Sequence, residues 1–400
     1  MTINGESLGA SLQNSLAVEQ FLTDNYLFRR NILNGKVEYL ILTTKQTDNQ
    51  SVWRTLTPES LNSIVRKAKQ EQITKNSPKT DIQEVIYSDA TPVYDPISEF
   101  LMHLPKWDGH NHLAKLFSRL PGISSEQLDF LVIWFRSAVA HWLQKDKLHA
   151  NESVPTLIGS QGCGKSTFIA RLLPPELQEY YLDHLNLSNK FDKEMALTNN
   201  LLVNLDELDA IRPSQQAALK QTLSKIKVNG RTIYGSSQQD RPRYASFVAT
   251  PNNPHPLSDV TGSRRFICIE ISDEQYIDNA GEIDYEQLYA QLVYEVNELK
   301  APYWFTNEQV ARIQALNQNY TDEKDITEII EACFRKPNEG EKVKAMNCTQ
   351  MLELISKEYP SLKKTVSTKV HLGLAMKDLG FEHTERGHVK YYNVVPVDAA

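Results

Sequence analysis

The stretch Val154-Pro155-Thr156-Leu157-Ile158-Gly159-Ser160-Gln161-Gly162-Cys163-Gly164-Lys165-Ser166-Thr167-Phe168-Ile169-Ala170-Arg171-Leu172-Leu173 decides the fold. Its first five residues form a short apolar run of strand type. The next eight match G-x-x-x-x-G-K-[ST], and the remainder reads as the start of a helix. Such a loop must curl its backbone N–H groups inward without Cβ clashes, and the helix dipole adds positive potential where phosphate oxygens would sit. Gly159, Ser160, Gln161, Gly162, Cys163, Gly164, Lys165, Ser166 and Thr167 are therefore the expected nucleotide cradle. Lys165 would neutralise the β- and γ-phosphates, and the Ser166 hydroxyl would ligate Mg2+, a hard cation suited to oxygen.

Downstream, Leu201-Leu202-Val203-Asn204-Leu205-Asp206-Glu207 is an apolar run ending in two acids, the form of a buried parallel strand whose carboxyl end opens on a ligand crevice. Asp206 is the expected metal-holding carboxylate, and Glu207 the residue that orients the attacking water. A further run, Phe247-Val248-Ala249-Thr250, ends in Pro251-Asn252-Asn253 and makes Asn252 the expected polar sensor of the γ-phosphate. Thr261-Gly262-Ser263-Arg264-Arg265-Phe266 precedes another strand, Ile267 to Ile271. Paired arginines there suit a finger that stabilises transition-state charge across a subunit boundary. Together these elements read as a P-loop nucleotide phosphatase using ATP and Mg2+, with Lys165, Glu207, Asn252, Arg264 and Arg265 as its catalytic set.

Outward from this core, residues 1–90 read as a small N-terminal α+β module: a helix over Val18–Phe28, then two strands, 36–45 and 51–56, around a polar Thr47-Asp48-Asn49-Gln50 turn. Residues 91–150 form a helical lead-in, with Pro96 at a helix start and a long apolar helix near Glu126–Lys147. The ATPase segment spans 151–300 and a helical connector 301–340. Residues 341–400 follow a winged-helix order, with helices over Met346–Lys357 and Thr365–Leu379 and a β-ribbon turning at Glu385-Arg386-Gly387-His388.

A chain of 400 residues exceeds what one core usually organises, and its 40% hydrophobic and 23% charged residues are those of a folded protein. The apolar run Phe130–Leu143 is too short to span a bilayer and carries Arg136 and His141, so no membrane association is expected. The N-terminus lacks the pattern of an export signal, which makes the cytoplasm the expected location. The four cysteines show no ligand spacing, and no structural zinc is expected. A net charge of -7 leaves any nucleic-acid surface to be local.

The ordered motifs, glycine loop, LLVNLDEL, TIYGSSQQDRPRYASFVATPNN and TGSRRF, resemble the virulence-associated protein E family, itself similar to superfamily III helicases of the AAA+ type. The lead-in PISEFLMHLPKWDGHNHLAKLF resembles that family's helical preface, so the resemblance covers roughly residues 90 to 300. It implies an AAA+-like parallel-sheet core in a ring oligomer, a hexamer, that works on DNA in the replication of phages, plasmids or other mobile elements, beside a primase or replication protein. Ring helicases present a basic hairpin to their channel, and the run from Lys220 to Arg243 resembles it. Lys225, Lys227, Arg231, Arg241 and Arg243 are accordingly the expected contacts to single-stranded DNA. The C-terminal lysines around the helix and wing are a second DNA-binding candidate. A different reading keeps the ATPase but makes it a switch whose nucleotide state controls partner binding without unwinding.

Overall fold

The computed structural model describes residues 2–3, 6–7, 9–42, 52–146, 149–187, 189–206, 208, 213–230, 239–257, 263–320, 326–338, 341–359, 362, 364–387 and 389–397. The chain divides into two compact units, one of Met1–Leu104 with Val228–Arg241, the other of Pro105–Lys227 with Pro242–Ala400.

In the first unit, β1 (Thr2–Ile3) pairs with β2 (Glu6–Ser7). The helix α1 (Ala10–Asn25) then leads into β3 (Tyr26–Asn31), β4 (Val37–Ile41) and β5 (Arg54–Thr55). α2 (Pro58–Gln70), α3 (Lys79–Tyr87), β6 (Val93–Tyr94) and α4 (Pro96–Met102) follow. The sheet order is β5-β4-β3-β6, with β6 parallel to β3. The helix expected over Val18–Phe28 ends earlier, because Tyr26, Leu27 and Phe28 join the β3 ladder opposite Ile41, Leu40 and Tyr39. Aromatic and branched side chains gain more from cross-strand packing here than from another helical turn. Val18, Phe21 and Leu22 of α1 pack with Tyr26, Tyr39, Ile64, Ile82 and Ile86 in one core. The turn expected at 47–50 lies outside the described residues. Pro96 is first in α4, the start the sequence predicts, and Asp95 caps it by accepting from the Ile97 and Ser98 amides.

The second unit opens with α5 (His112–Phe117) and α6 (Ser125–Trp142). There follow β7 (Val154–Ile158), α7 (Lys165–Ala170), β8 (Tyr181–Leu182), α8 (Lys190–Asn199), β9 (Leu202–Leu205) and α9 (Pro213–Leu223). After a two-stranded ribbon that clusters with the first unit, β10 (Lys227–Gly230) with β11 (Gln239–Pro242), the second unit resumes with β12 (Ser246–Ala249) and β13 (Phe266–Glu270). β13, β7, β12, β9 and β8 form one five-stranded sheet in that order, every adjacent pair parallel. Counting only these strands along the chain, the order is 5-1-4-3-2, so the chain leaves the interior strand β7 for the far edge. The carboxyl ends of β7 and β12 therefore flank a crevice at a topological switch point. Every residue of β7, β9 and β12 is buried, which is why these strands read as unbroken apolar runs.

α6 packs against β13 and against α10 (Tyr285–Asn297). Trp134 stacks on Phe135 and Trp142 on Tyr289, while Arg136 forks onto Glu295 Oε2 at 2.9 and 2.7 Å. α11 (Asn307–Leu316) and α12 (Ile326–Cys333) lead to β14 (Phe334–Arg335), β15 (Lys344–Met346), α13 (Cys348–Glu358), α14 (Val366–Asp378), β16 (His383–Arg386) and β17 (Val389–Pro396). β17 pairs with β14, β15 and β16, and Gly387 takes φ +55° in the tight turn between β16 and β17. The order strand, helix, helix, two-stranded wing encloses its own core of Ile330, Met351, Leu352, Ile355, Leu372 and Met376 among others.

Candidate nucleotide site

The loop after β7 is walled on one side by the chain that leaves β13. The Ile271 amide donates to Ile158 O at 2.7 Å and the Ile277 amide to Cys163 O at 3.0 Å, drawing residues 271–281 across the loop as a strap. A Cβ on Gly159 would stand 3.0 Å from Ile271 O. Gly164 has φ +94°, and a Cβ there would meet Asn279 Nδ2 at 2.6 Å, the nitrogen that donates to Gly164 O at 3.0 Å. The motif glycines at these two positions are thus required by this wall as well as by the loop's own curvature.

The strap is held from outside. Arg119 donates to the carbonyls of Gly281 and Glu282, and Arg171 to those of Asn279 and Gly281. Just beyond α7, Tyr285 Oη donates to Arg171 O at 2.9 Å and Tyr289 Oη to Leu172 O at 2.8 Å.

Lys165 is buried, 5% exposed, and its Nζ donates to Gly159 O at 2.6 Å, Ser160 O at 2.9 Å and Asn252 Oδ1 at 3.1 Å. Asn252 follows β12, and Ala249 of that strand stands opposite Thr156 of β7, so the parallel register delivers the amide to the loop. Ser160, Gln161, Gly162, Ser166 and Thr167 are exposed along the loop, whereas Cys163 is packed inside.

Beside it, β9 is followed directly by Asp206. Its Oδ1 accepts from Thr250 Oγ1 at 3.2 Å, and Thr250 Oγ1 in turn accepts from Asn204 Nδ2 at 3.0 Å. Asn204 and Thr250 are both buried, so each depends on the other for satisfaction. Sequence reasoning passed over this pair, although an Asn inside LLVNL and a Thr ending FVAT are polar groups in buried strands that must find partners. Tyr181, on the edge strand β8, has its phenol pushed well above the ordinary range by burial and by Asp183, with Asp206 adding to it. Glu207 lies outside the described residues.

Arg264 and Arg265 stand elsewhere. They precede β13, whose Phe266 is level with Val154 at the start of β7, so they occupy the amino end of the sheet. The loop follows Ile158 at the opposite end, four residue steps or about 13 Å along the strand. Arg265 is tied to Glu152 Oε2 at 3.0 Å and to Ser224 Oγ at 3.2 Å, while Arg264 is exposed. Lys220 lies close by: burial lowers its pKa and Arg265 lowers it further.

The basic segment also divides. Arg243, expected at a DNA surface, is instead a core residue at 2% exposure. Its guanidinium donates to the carbonyls of Ala245, Leu223, Lys225 and Asn151, with no donor face left toward solvent. Burial pulls its pKa down to about 9, with Glu152 opposing, which leaves it a buried cation at neutral pH. Lys225 pairs with Glu194 at 3.3 Å, Arg241 donates to Leu33 O at 3.0 Å, and Lys227 is exposed. Arg231 lies outside the described residues. No group of three or more His, Cys, Asp or Glu among the described residues is placed to hold a metal, and no helix among them is long and apolar enough to cross a membrane.

A parallel sheet of order 5-1-4-3-2 with a G-x-x-x-x-G-K-S loop after its first strand in the chain, β7, defines a P-loop α/β fold of the AAA+-like kind. The chain belongs to the virulence-associated protein E-like domain family, whose family model matches residues 101–322. No curated protein matches it. Among solved structures it is similar to the apo C-terminal region of NrS-1, at 14% identity and a TM-score of 0.46, over 95% of this chain and 99% of that one. It is also similar to SCCmec type IV Cch, described as an active helicase, at 12% identity and a TM-score of 0.37, over 93% of this chain and 92% of the other.

Proposed function

We propose that this chain is a Mg2+-dependent ATPase that acts as a helicase or translocase on single-stranded DNA in the replication of a mobile element. The observation that carries this reading is the hydrogen bond from Lys165 Nζ to Asn252 Oδ1. It joins the glycine loop to the end of the neighbouring strand, where a γ-phosphate would be met from both sides. Family membership supports the class of work.

The donors suit the proposed metal. Ser166 offers an exposed hydroxyl and Asp206 a carboxylate steadied by Thr250, two hard oxygens for an ion that takes its remaining ligands from phosphate and water. Bound there, Mg2+ would offset charge on the phosphate oxygens. Residues Gly159 to Thr167 would hold the triphosphate, Lys165 exchanging its two carbonyl partners for phosphate oxygens, and Asn252 would fix the far side of the terminal phosphate. Glu207 would orient the attacking water. Because Arg264 and Arg265 lie at the other end of their own sheet, either could reach a nucleotide only in a neighbouring copy, which calls for a ring. Lys225, Lys227, Arg231 and Arg241 remain the proposed DNA contacts.

The test is phosphate release from ATP by the full chain with and without single-stranded DNA, set against Lys165→Ala and Asp206→Asn. DNA should stimulate the wild type, and both variants should be inactive; hydrolysis that persists in Lys165→Ala refutes the site. One observation favours the alternative of a nucleotide switch that separates no strands: Arg243 is core, and Lys225 and Arg241 are already partnered. Hydrolysis indifferent to DNA, with no salt-sensitive DNA binding, would decide for the switch.

A further inference from the structure

The sheet order β13-β7-β12 sets the two neighbours of β7 on opposite sides of it. Asn252 follows β12 and meets Lys165, so on the reading above the terminal phosphate lies toward β12 and the rest of the nucleotide leaves the loop toward β13. What stands on that side is the strap of residues 271–281. Arg171, one helical turn beyond Thr167, holds it against the flank of α7 through the carbonyls of Asn279 and Gly281. The strap carries Asp273, Glu274 and Asp278 and no lysine or arginine, which suits it to the uncharged nucleoside end of a triphosphate and repels the phosphates.

One side chain of the strap is left incomplete. Asn279 Nδ2 donates to Gly164 O at 3.0 Å, which fixes the orientation of the amide, because a carbonyl can be met only by the nitrogen. Asn279 Oδ1 is shielded from water and has no hydrogen-bond partner among the described residues. A buried acceptor without a donor costs free energy, which a ligand that supplies the missing N–H recovers. With its nitrogen committed, the amide can only accept, so it separates a base that presents an amine from one that presents a keto oxygen or a C–H. Earlier in the strap Tyr276 projects with 73% of its surface exposed, an aromatic face beside this polar group.

We propose that the strap reads the nucleobase, with Asn279 Oδ1 accepting a hydrogen bond from the exocyclic amine of adenine and the Tyr276 ring covering the base. The inference rests on the nucleotide reading above and adds the residue that selects ATP. The oxygen is covered in this state, and the exposed segment 272–276 moves aside to admit the base. Asn279 then joins the base on one side to Gly164 O on the other, so the right base also steadies the loop that holds the phosphates.

The test compares three substrates of the full chain in the presence of Mg2+ and single-stranded DNA: ATP, purine riboside triphosphate, which lacks only the amine, and inosine triphosphate, which has a keto oxygen in its place. The kcat/KM for ATP should exceed that for either analogue by at least about tenfold, the effect of one hydrogen bond. Asn279→Ala should bring the three to within about twofold of one another, whereas a loop that is merely loosened loses activity on all three alike. Tyr276→Ala should raise KM for all three by a similar factor. A wild type that uses the three substrates equally overturns the proposal without recourse to any variant, and so does unchanged discrimination in a folded Asn279→Ala. In either case inactivity of Lys165→Ala preserves the nucleotide site. Equal hydrolysis by wild type and Lys165→Ala overturns both.

Discussion

Among the described residues of the second unit, the basic side chains of Lys165 and Arg243 are buried, and they differ in what surrounds them. Lys165 is held by two loop carbonyls and one side-chain amide, at a loop with exposed neighbours. Arg243 is held by four main-chain carbonyls drawn from the end of α9, the segments flanking β10 and β12, and the approach to β7. A cation whose partners can be exchanged can serve a ligand; one enclosed by main-chain carbonyls on every side serves the fold. Burial alone does not tell the two apart, and the nature of the partners and the exposure of their neighbours do.

The contrast is tested most severely at Arg243. Arg243→Met leaves four carbonyls without their donor and should cost about 3–5 kcal/mol of unfolding free energy, read by urea denaturation. A loss below about 1 kcal/mol would erase the distinction. Lys165→Ala should behave in the opposite way, lowering ATP hydrolysis by about 10²–10³-fold, the effect of removing one preorganised charge, while the urea midpoint moves little. Thr250→Val is expected to cost about 1–3 kcal/mol by stranding the Asn204 amide, and to raise the Mg2+ concentration needed for hydrolysis by freeing Asp206. Unchanged stability would mean that the amide finds another partner. At the small end, Arg265→Ala should lose no more than about 1 kcal/mol, since its pair with partly exposed Glu152 is screened, and Arg264→Ala should stay within about 0.5 kcal/mol of wild type. If Arg264→Ala nonetheless abolishes hydrolysis, and mixing it with Lys165→Ala subunits restores some, its role lies in the neighbouring copy.

Much of this arrangement is legible in the sequence, for a physical reason. Strands buried on both faces must be apolar throughout, so VPTLI, LLVNL and FVAT announce themselves, and the glycine loop between strand and helix fixes the sheet type. Parallel register then places Asn252 beside Lys165 without further information. What the sequence hides is convergence from a distance. Nothing local shows that Arg243, in a basic run expected to contact DNA, meets the carbonyls of Leu223 and Lys225 and that of Asn151, 92 residues back. Nor does any pattern announce that Val228–Arg241 clusters with Met1–Leu104, or that Asn279, more than a hundred residues on, backs the last loop glycine. The early end of α1 has the same origin, because β4 competes for Tyr26–Phe28 and a helix propensity cannot register a competitor.

The attachments beyond α7 have a mechanical side. Arg171 and Leu172 give their carbonyls to two tyrosines of α10, and the Arg171 guanidinium grips the strap, so this six-residue helix is moored at its tail and meets the glycine loop at its head. A short rod anchored at one end is a lever. A displacement of the loop would turn it about that mooring and load α10, which lies against α5 and α6, while the buried strands stay still.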